Sequence, residues 1–153
     1  MKMSGYKTTN RDGNCLFNSI VCSLYWEINK QKLDKKLQKI NAMNLRQNCV
    51  DKLETLFTYD EMIQMLIHQE VIENDDIHNA QDYLNRMRCD GIWGGNLEII
   101  AISKLLNTSI DVFIQKNRKF KLIGGYSIEN NNNQHIRLFY RGNSHYDFIP
   151  SKI

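Results

Sequence analysis

The sequence predicts an α+β fold in which a helical N-terminal half packs on a small, mainly antiparallel sheet, and three observations lead there. Apolar residues recur at three- and four-residue steps through about the first ninety positions, the period of helices with one buried face. A glycine-punctuated stretch, Gly91-Ile-Trp-Gly-Gly95, then breaks that pattern. From Ile110 onward apolar and polar residues alternate in short runs, the period of half-buried strands.

Composition bounds the rest. With 153 residues, 42% of them hydrophobic and 24% charged, the chain suits one core, and residues 1–153 are expected to form a single domain. The net charge of +3 is scattered along the chain without the basic stripe that binds phosphates, so nucleic acid is not an expected partner. No apolar run approaches the roughly 20 residues that span a bilayer, and the first residues lack the apolar core of a secretory signal. The expectation is a protein of the cytosol that meets no membrane. Cys15, Cys22, Cys49 and Cys89 form no CxxC pair, and His68, His78, His135 and His145 form no close pair. Free thiols and no metal site are expected.

A short polar lead containing Tyr6 runs into Thr9-Asn-Arg-Asp-Gly-Asn14, whose composition predicts a tight loop with Gly13 free to take positive φ. Leu16, Phe17, Ile20, Val21, Leu24 and Tyr25 then mark the apolar face of a buried helix that begins at Cys15. Two further amphipathic helices are expected, one over Leu33, Leu37 and Ile40, the other over Leu45, Cys49, Leu53 and Leu56, with Lys35, Lys36 and Lys39 in solvent. Asp60 is placed to cap a helix carrying Met62, Ile63, Leu66 and Ile67. A helix from about 76 to 88 turns Ile77, Ala80, Leu84 and Met87 inward. Beyond the glycine loop, Asn96 caps a helix through Ile99, Ile100, Ile102, Leu105 and Leu106. Strands are expected around Ile110, Val112 and Ile114, then Phe120 and Leu122, then Ile136, Leu138 and Tyr140, then Tyr146 and Phe148, ending at Pro150. The Asn-rich tract at 129–133 reads as a hairpin or surface loop between them.

A thiol in the first turn of a helix lies among backbone N–H groups without intrahelical acceptors and at the positive end of the macrodipole, and both favour the thiolate. Cys15 is so placed, and with an imidazolium beside it its pKa is expected anywhere in about 3.5–7.5, against about 8.5 when free. The rival reading is an ordinary buried cysteine. His145 and Asp147 flank Tyr146 on a predicted strand, where positions i and i+2 share a face, so the carboxylate can orient the imidazole while Tyr146 and Phe148 point to the core. The other ring nitrogen is then left to take the proton of Cys15. The plainer alternative is an exposed polar edge. Cys22 lies about 10 Å further along the helix, Cys49 sits in an apolar stripe and Cys89 follows a helix end, and all three are expected to pack structurally. His68, His78 and His135 lack an acid two residues away and are assigned surface or packing roles. The glycine loop has neither a following Lys-Ser/Thr pair nor a preceding apolar strand, so nucleotide binding is rejected. Trp93 within it is expected in the core, with a substrate groove as the alternative.

Asp12-Gly-Asn-Cys-Leu-Phe17 resembles the nucleophile motif of the ovarian-tumour (OTU) cysteine proteases. The likeness continues in order through Leu45-Arg46, Tyr83, Met87, Gly91-Ile-Trp-Gly-Gly-Asn-Leu-Glu98 and His145-Tyr-Asp147, and so covers nearly the whole chain. It implies a papain-like α/β (α+β) OTU fold forming one catalytic domain, no cofactor, and hydrolysis of the isopeptide bond after the C-terminal glycine of ubiquitin. Carried over by position, Cys15 is the nucleophile, His145 the general base and then acid, and Asp147 the residue that orients it. Asp12 belongs to the loop that shapes the oxyanion site, supported by Gly13 and Asn14, where backbone N–H groups between Asp12 and Cys15 would receive the negative charge. Trp93, Gly94, Gly95 and Glu98 are the substrate-groove candidates, with Glu98 and Asp90 the acids for the arginine of an Arg-Gly-Gly tail. Asn18 departs from the larger or basic residue of many relatives, and the short chain leaves little room for accessory ubiquitin-binding elements.

The expected partners are ubiquitin, polyubiquitin chains and in addition a ubiquitin-like modifier, met by a monomer. Two alternatives stand beside this reading. One is a cysteine protease of the same fold acting on a polyprotein; the other is a non-catalytic ubiquitin-binding module, in which Cys15 would be unreactive.

Overall fold

The computed structural model describes residues 5–9, 12–68, 79–129, 135–142 and 144–151. After the Asp12–Asn14 loop the apolar period takes hold and α1 runs from Cys15 to Asn29. Leu16, Phe17 and Ile20 on it are at most 1% exposed, so the helix that carries the thiol is anchored at its N-terminal half, while Val21, Leu24 and Tyr25 are half-buried.

The next helix departs from expectation. The structure has one helix, α2 (Lys35–Leu56), capped by Asp34, in place of two. No glycine or proline interrupts residues 40–45, and nothing else there breaks the i to i+4 ladder. Its buried stripe is Gln38, Ala42, Leu45, Arg46, Cys49, Val50 and Leu53, which leaves Leu37 and Ile40 about half exposed, at 49% and 47%. The inward face therefore includes a glutamine and an arginine, which an apolar count passes over.

Helix α3 spans Tyr59–His68. Its cap is Thr58 and not Asp60: the Thr58 hydroxyl accepts from Glu61 N at 3.1 Å while the Glu61 carboxylate accepts from Thr58 N at 2.9 Å, a reciprocal capping box. Helix α4 is Ala80–Met87, capped by the Asn79 side chain; the expected start at 76 and the residues Ile77 and His78 lie outside the described residues. Helix α5 is Asn96–Leu106 with Gly95 at the cap, one residue earlier than expected. No helix among the described residues is long and apolar enough to cross a membrane.

Four strands follow: β1 (Ser109–Lys116), β2 (Lys119–Tyr126), β3 (His135–Arg141) and β4 (His145–Phe148). They form one sheet in the order β2-β1-β3-β4. The β1–β2 and β3–β4 pairs are antiparallel, as expected for most of the sheet, but β1 and β3 run parallel. Helix α1 packs on α2 and against β3 and β4, while α5 packs on α2 and on β1 and β2. One apolar core runs through these contacts, and a smaller cluster of Phe113, Phe139 and Ile149 packs with Phe120. Lys7 bridges Phe148 by two backbone hydrogen bonds, 2.7 and 3.2 Å, so the N-terminal segment lies along the free edge of β4. Helix α1 and strand β4, which follow Asn14 and precede Ile149, thus pack side by side.

Candidate active site

The loop before Cys15 is fixed from several sides. Gly13 has φ +82°, and a Cβ there would run into the Gly91 carbonyl, so only glycine lets the two loops touch. Asp12 Oδ1 accepts from Asn14 N at 3.1 Å and from Asn18 Nδ2 at 2.9 Å. Asn18 is thereby drawn into the loop scaffold, a role its departure from the family pattern did not reveal. Asn14 occupies the cap of α1 yet makes no side-chain cap. Its Oδ1 accepts from Arg46 Nη2 at 2.5 Å and from Gly91 N at 3.1 Å, and its Nδ2 donates to Asp90 at 2.5 Å.

Cys15 is 5% exposed, and its thiol donates to the Ser144 carbonyl at 3.6 Å. Burial pushes the thiol up; the N–H groups of Tyr146, Leu16 and Cys15 itself draw it down, and the Asp147 carboxylate adds to the rise. The net direction is upward, for a thiol with no charged imidazolium acting on it. Removing the sulfur from water costs the thiolate more than the helix start and the β4 amide return. Ser144 and Tyr146 are the neighbours of His145 in the chain, so the sulfur is held against the backbone on both sides of the imidazole.

His145 begins β4, and its Nε2 is 2.7 Å from Asp147 Oδ1. That contact leaves Nδ1 as the ring nitrogen free for chemistry. Asp147 is fully buried and serves two further donors: Oδ1 accepts from Thr9 N at 2.9 Å and Oδ2 from Arg141 Nε at 2.7 Å. The hairpin register explains Arg141, which pairs directly with His145, while Phe139 pairs with Asp147. Arg141 therefore shares a face with both. Two hydroxyls stitch the back of this strand, with Ser19 Oγ donating to Tyr146 O at 2.7 Å and Thr9 Oγ1 to the same oxygen at 3.2 Å. Arg141, Thr9 and Ser19 were missed in the sequence. An open depression of about 430 Å³ lined by Arg141, Gly142, Ser144 and His145 lies beside the imidazole.

The glycine loop lies over the start of α1, held by the Gly13–Gly91 approach and by Gly94, whose missing Cβ makes room for Leu16. Trp93, between these two points, is 64% exposed. The core expectation for Trp93 is overturned, because both flanking contacts hold the backbone down and leave the indole in solvent. Glu98 is corrected as well: it is 1% exposed and cannot line an open groove. Its carboxylate accepts from Gly95 N at 2.7 Å and from the Tyr83 hydroxyl at 2.6 Å, closing the start of α5. Gly95 is thus a cap residue, and Asp90, which is exposed, holds Asn14.

Of the other thiols, Cys22 and Cys49 are buried, at 2% and 0% exposed. Cys89 is exposed, against the packing role expected of it. His68 is exposed, and His135 pairs with Asp111 across the sheet at 2.9 Å. Among the described residues no group of three or more His, Cys, Asp or Glu side chains is arranged to hold a metal.

A thiol at a helix start, an imidazole one residue along from its backbone contact, and a buried carboxylate on that imidazole can perform acyl transfer. Comparison with known proteins agrees with that chemistry. Relatives include an OVARIAN TUMOR DOMAIN-containing deubiquitinating enzyme 4 from Arabidopsis thaliana, 28% identical over 140 residues, 90% of this chain and 40% of the relative. An OTU domain-containing protein 2 from Saccharomyces cerevisiae is 29% identical over 103 residues, 67% of this chain and 31% of the relative. The chain thus spans two fifths or less of the length of these relatives. Among solved structures, the Hazara virus OTU bound to ubiquitin superposes with a TM-score of 0.62 at 17% identity, covering 97% of this chain and 82% of the other, and so shares the fold. Residues 10–148 match the family model for OTU-like cysteine proteases, a span that holds the thiol loop, the glycine loop and the His145–Asp147 strand, and the chain belongs to that family.

Proposed function

We propose that this chain is a deubiquitinase that hydrolyses the bond after the C-terminal glycine of ubiquitin, with Cys15 as nucleophile, His145 as base and acid, and Asp147 orienting the ring. The observation that carries it is the fully buried Asp147 on His145 Nε2 beside a helix-start thiol. The names of relatives such as the Arabidopsis deubiquitinating enzyme, and the ubiquitin bound in the Hazara virus structure, support the substrate.

In the proposed reaction His145 Nδ1 takes the Cys15 proton as sulfur attacks the glycine carbonyl carbon. The oxygen becomes anionic, and backbone N–H groups of the Gly13–Cys15 loop receive it. The Asn14 N–H is already bound to Asp12, so Cys15 N–H is the leading donor and Asp12 acts on the loop. Collapse expels the lysine amine, which takes its proton from His145 and leaves a ubiquitin thioester on Cys15. His145 then deprotonates a water, whose attack releases the ubiquitin carboxylate and returns the thiol. Trp93 and Gly94, in the loop over α1, are proposed to border the groove for the tail. The same reading has the chain act as a monomer in a cytosol, on ubiquitin, polyubiquitin chains and a ubiquitin-like modifier.

The test is ubiquitin bearing a C-terminal electrophile, with mass mapping of the adduct. A single adduct on Cys15, absent in Cys15→Ala, is expected. Binding without an adduct would turn the assignment to a ubiquitin-binding module, and cleavage of linear peptides but not of ubiquitin conjugates would turn it to a polyprotein protease.

A further inference from the structure

Arg46 is 0% exposed, yet its hydrogen bonds among the described residues go to neutral groups. Nη1 donates to Met87 O at 2.9 Å and to Met87 Sδ at 3.5 Å, and Nη2 to Asn14 Oδ1 at 2.5 Å and to Ile92 O at 2.7 Å. Its guanidinium also lies 4.4 Å from the centre of the Phe17 ring. No carboxylate among the described residues hydrogen-bonds it: the Asp90 charge is relayed through the amide of Asn14, and the buried Glu98 carboxylate acts on it only through space. A buried cation held this way is costly, and an apolar side chain would fill the same stripe of α2 without that cost. What the guanidinium provides is geometry, because its fork ties together α2, the residue before the thiol and the backbone of the glycine loop.

The tie has a particular effect at the thiol. An asparagine at a helix cap ordinarily turns its oxygen onto the N–H of the second or third helical residue, here Leu16 or Phe17. Asn14 makes no such bond, because its oxygen is taken by Arg46 Nη2 and Gly91 N and its nitrogen by Asp90. We infer that Arg46 is a positioning residue for the nucleophile: it holds the Asn14 side chain off the start of α1, so that the first-turn N–H groups stay free for negative charge at the reacting centre. The inference rests on the reading of Cys15 as nucleophile.

The experiment uses Arg46→Lys, Asn14→Ser and the double variant. Lysine keeps the charge but cannot span the acceptors on Met87, Asn14 and Ile92, and serine is short of Arg46 while able to cap the helix. Two readouts are taken: kcat and KM on a ubiquitin–fluorophore amide, and the pH dependence of Cys15 alkylation by iodoacetamide with Cys89 replaced by alanine. Each single variant is expected to lower kcat about 10–100-fold with KM within about twofold, a loss confined to the transition state. The double should be no worse than the worse single, since both act through one side chain. The alkylation midpoint should move to higher pH in each. Asn14→Ser with unchanged kcat and unchanged midpoint overturns the inference, as does a double variant whose losses multiply. If Arg46→Lys does not fold, Asp90→Ala at the exposed end of the chain of bonds replaces it, with a fall in kcat of about two- to fivefold expected and no change counting against. Should the parent chain leave ubiquitin amides uncleaved while the alkylation midpoints move as stated, the proposed substrate fails and the positioning role stands.

Discussion

Asp147 has three donors to satisfy and two oxygens to do it with, which makes its replacement by alanine and by asparagine two different experiments. In Asp147→Ala the Thr9 N–H, the Arg141 guanidinium and the His145 ring all lose their acceptor. Leaving a buried donor unpaired costs about 1–3 kcal/mol. The Thr9 amide bears that in full, whereas Arg141 and His145, at 27% and 15% exposed, can reach water and count for less. A total of about 3–5 kcal/mol of stability follows, with a fall in kcat of about 100–1000-fold from an unrestrained imidazole. In Asp147→Asn the amide oxygen can take the Oδ1 place and keep both Thr9 and His145, while the amide nitrogen meets Arg141, donor against donor. About 1–2 kcal/mol of stability should go, and kcat should fall about tenfold because the ring keeps its tautomer but loses the charge behind it. Urea melts, kcat on a ubiquitin substrate and the histidine titration by NMR measure these. An asparagine variant as inactive as the alanine variant would refute the placement of the acceptor. If Asp12→Ala moves the His145 titration and Asp147→Ala does not, the two aspartates have exchanged roles.

The accessible thiol and the proposed nucleophile are different residues, so iodoacetamide should mark Cys89 first while a ubiquitin electrophile marks Cys15; the reverse order by mass mapping would contradict the burial of Cys15. In a Cys89→Ala background, Cys15 alkylation should still be rising with pH beyond about 8.5, the ordinary thiol value, because a raised thiol is neutral at pH 7 and ionises only as pH climbs. A plateau below pH 7 would mean a resting thiolate. Burial raises the Glu98 carboxyl, so its contribution to stability is fullest below about 4.3, the unfolded value, and is lost as pH rises through the folded one. Tyr83→Phe removes the donor that offsets this and should steepen the loss as pH rises from about 4.3 in urea midpoints, whereas Glu98→Gln should flatten it and leave KM unchanged; a raised KM in Glu98→Gln would return Glu98 to the groove.

The thiol loop and the His145–Asp147 pair were legible because each depends on neighbours in the chain. Gly13 before a helical apolar period fixes where Cys15 must lie, and a two-residue spacing on a strand puts a carboxylate beside an imidazole. Arg141 and Thr9 were not legible, because they reach Asp147 through the β3–β4 register and the Lys7–Phe148 bridge, and register between segments leaves no local pattern. The parallel β1–β3 pairing escaped for the same reason. Helix α2 was divided wrongly because its buried face includes Gln38 and Arg46, residues that a hydrophobic count assigns to water. Trp93 and Glu98 exchanged places for a related reason, since apolar character argued for the core and charge for the surface, while the loop holds its backbone inward and the helix cap needs a carboxylate.

The site is divided between two elements far apart in the chain, helix α1 and strand β4. Asp12 organises backbone on the helix side, accepting from Asn14 N and Asn18 Nδ2, and Asp147 organises the imidazole on the strand side. Neither aspartate bonds to the other half, so the placement of sulfur against imidazole depends on how α1 sits on β4. Two kinds of contact set that placement: the apolar packing of α1 on β3 and β4, and the Ser19 hydroxyl on the Tyr146 carbonyl at 2.7 Å. Ser19 lies one helical turn beyond Cys15, and Tyr146 stands between His145 and Asp147. The Ser19 hydrogen bond is thus a polar path from the helix of the proposed nucleophile to the strand of the proposed base that does not run through the thiol or the imidazole. The burial of Ser19 on α1 is explained by that path, because a hydroxyl fixes direction where a methyl group would only fill space.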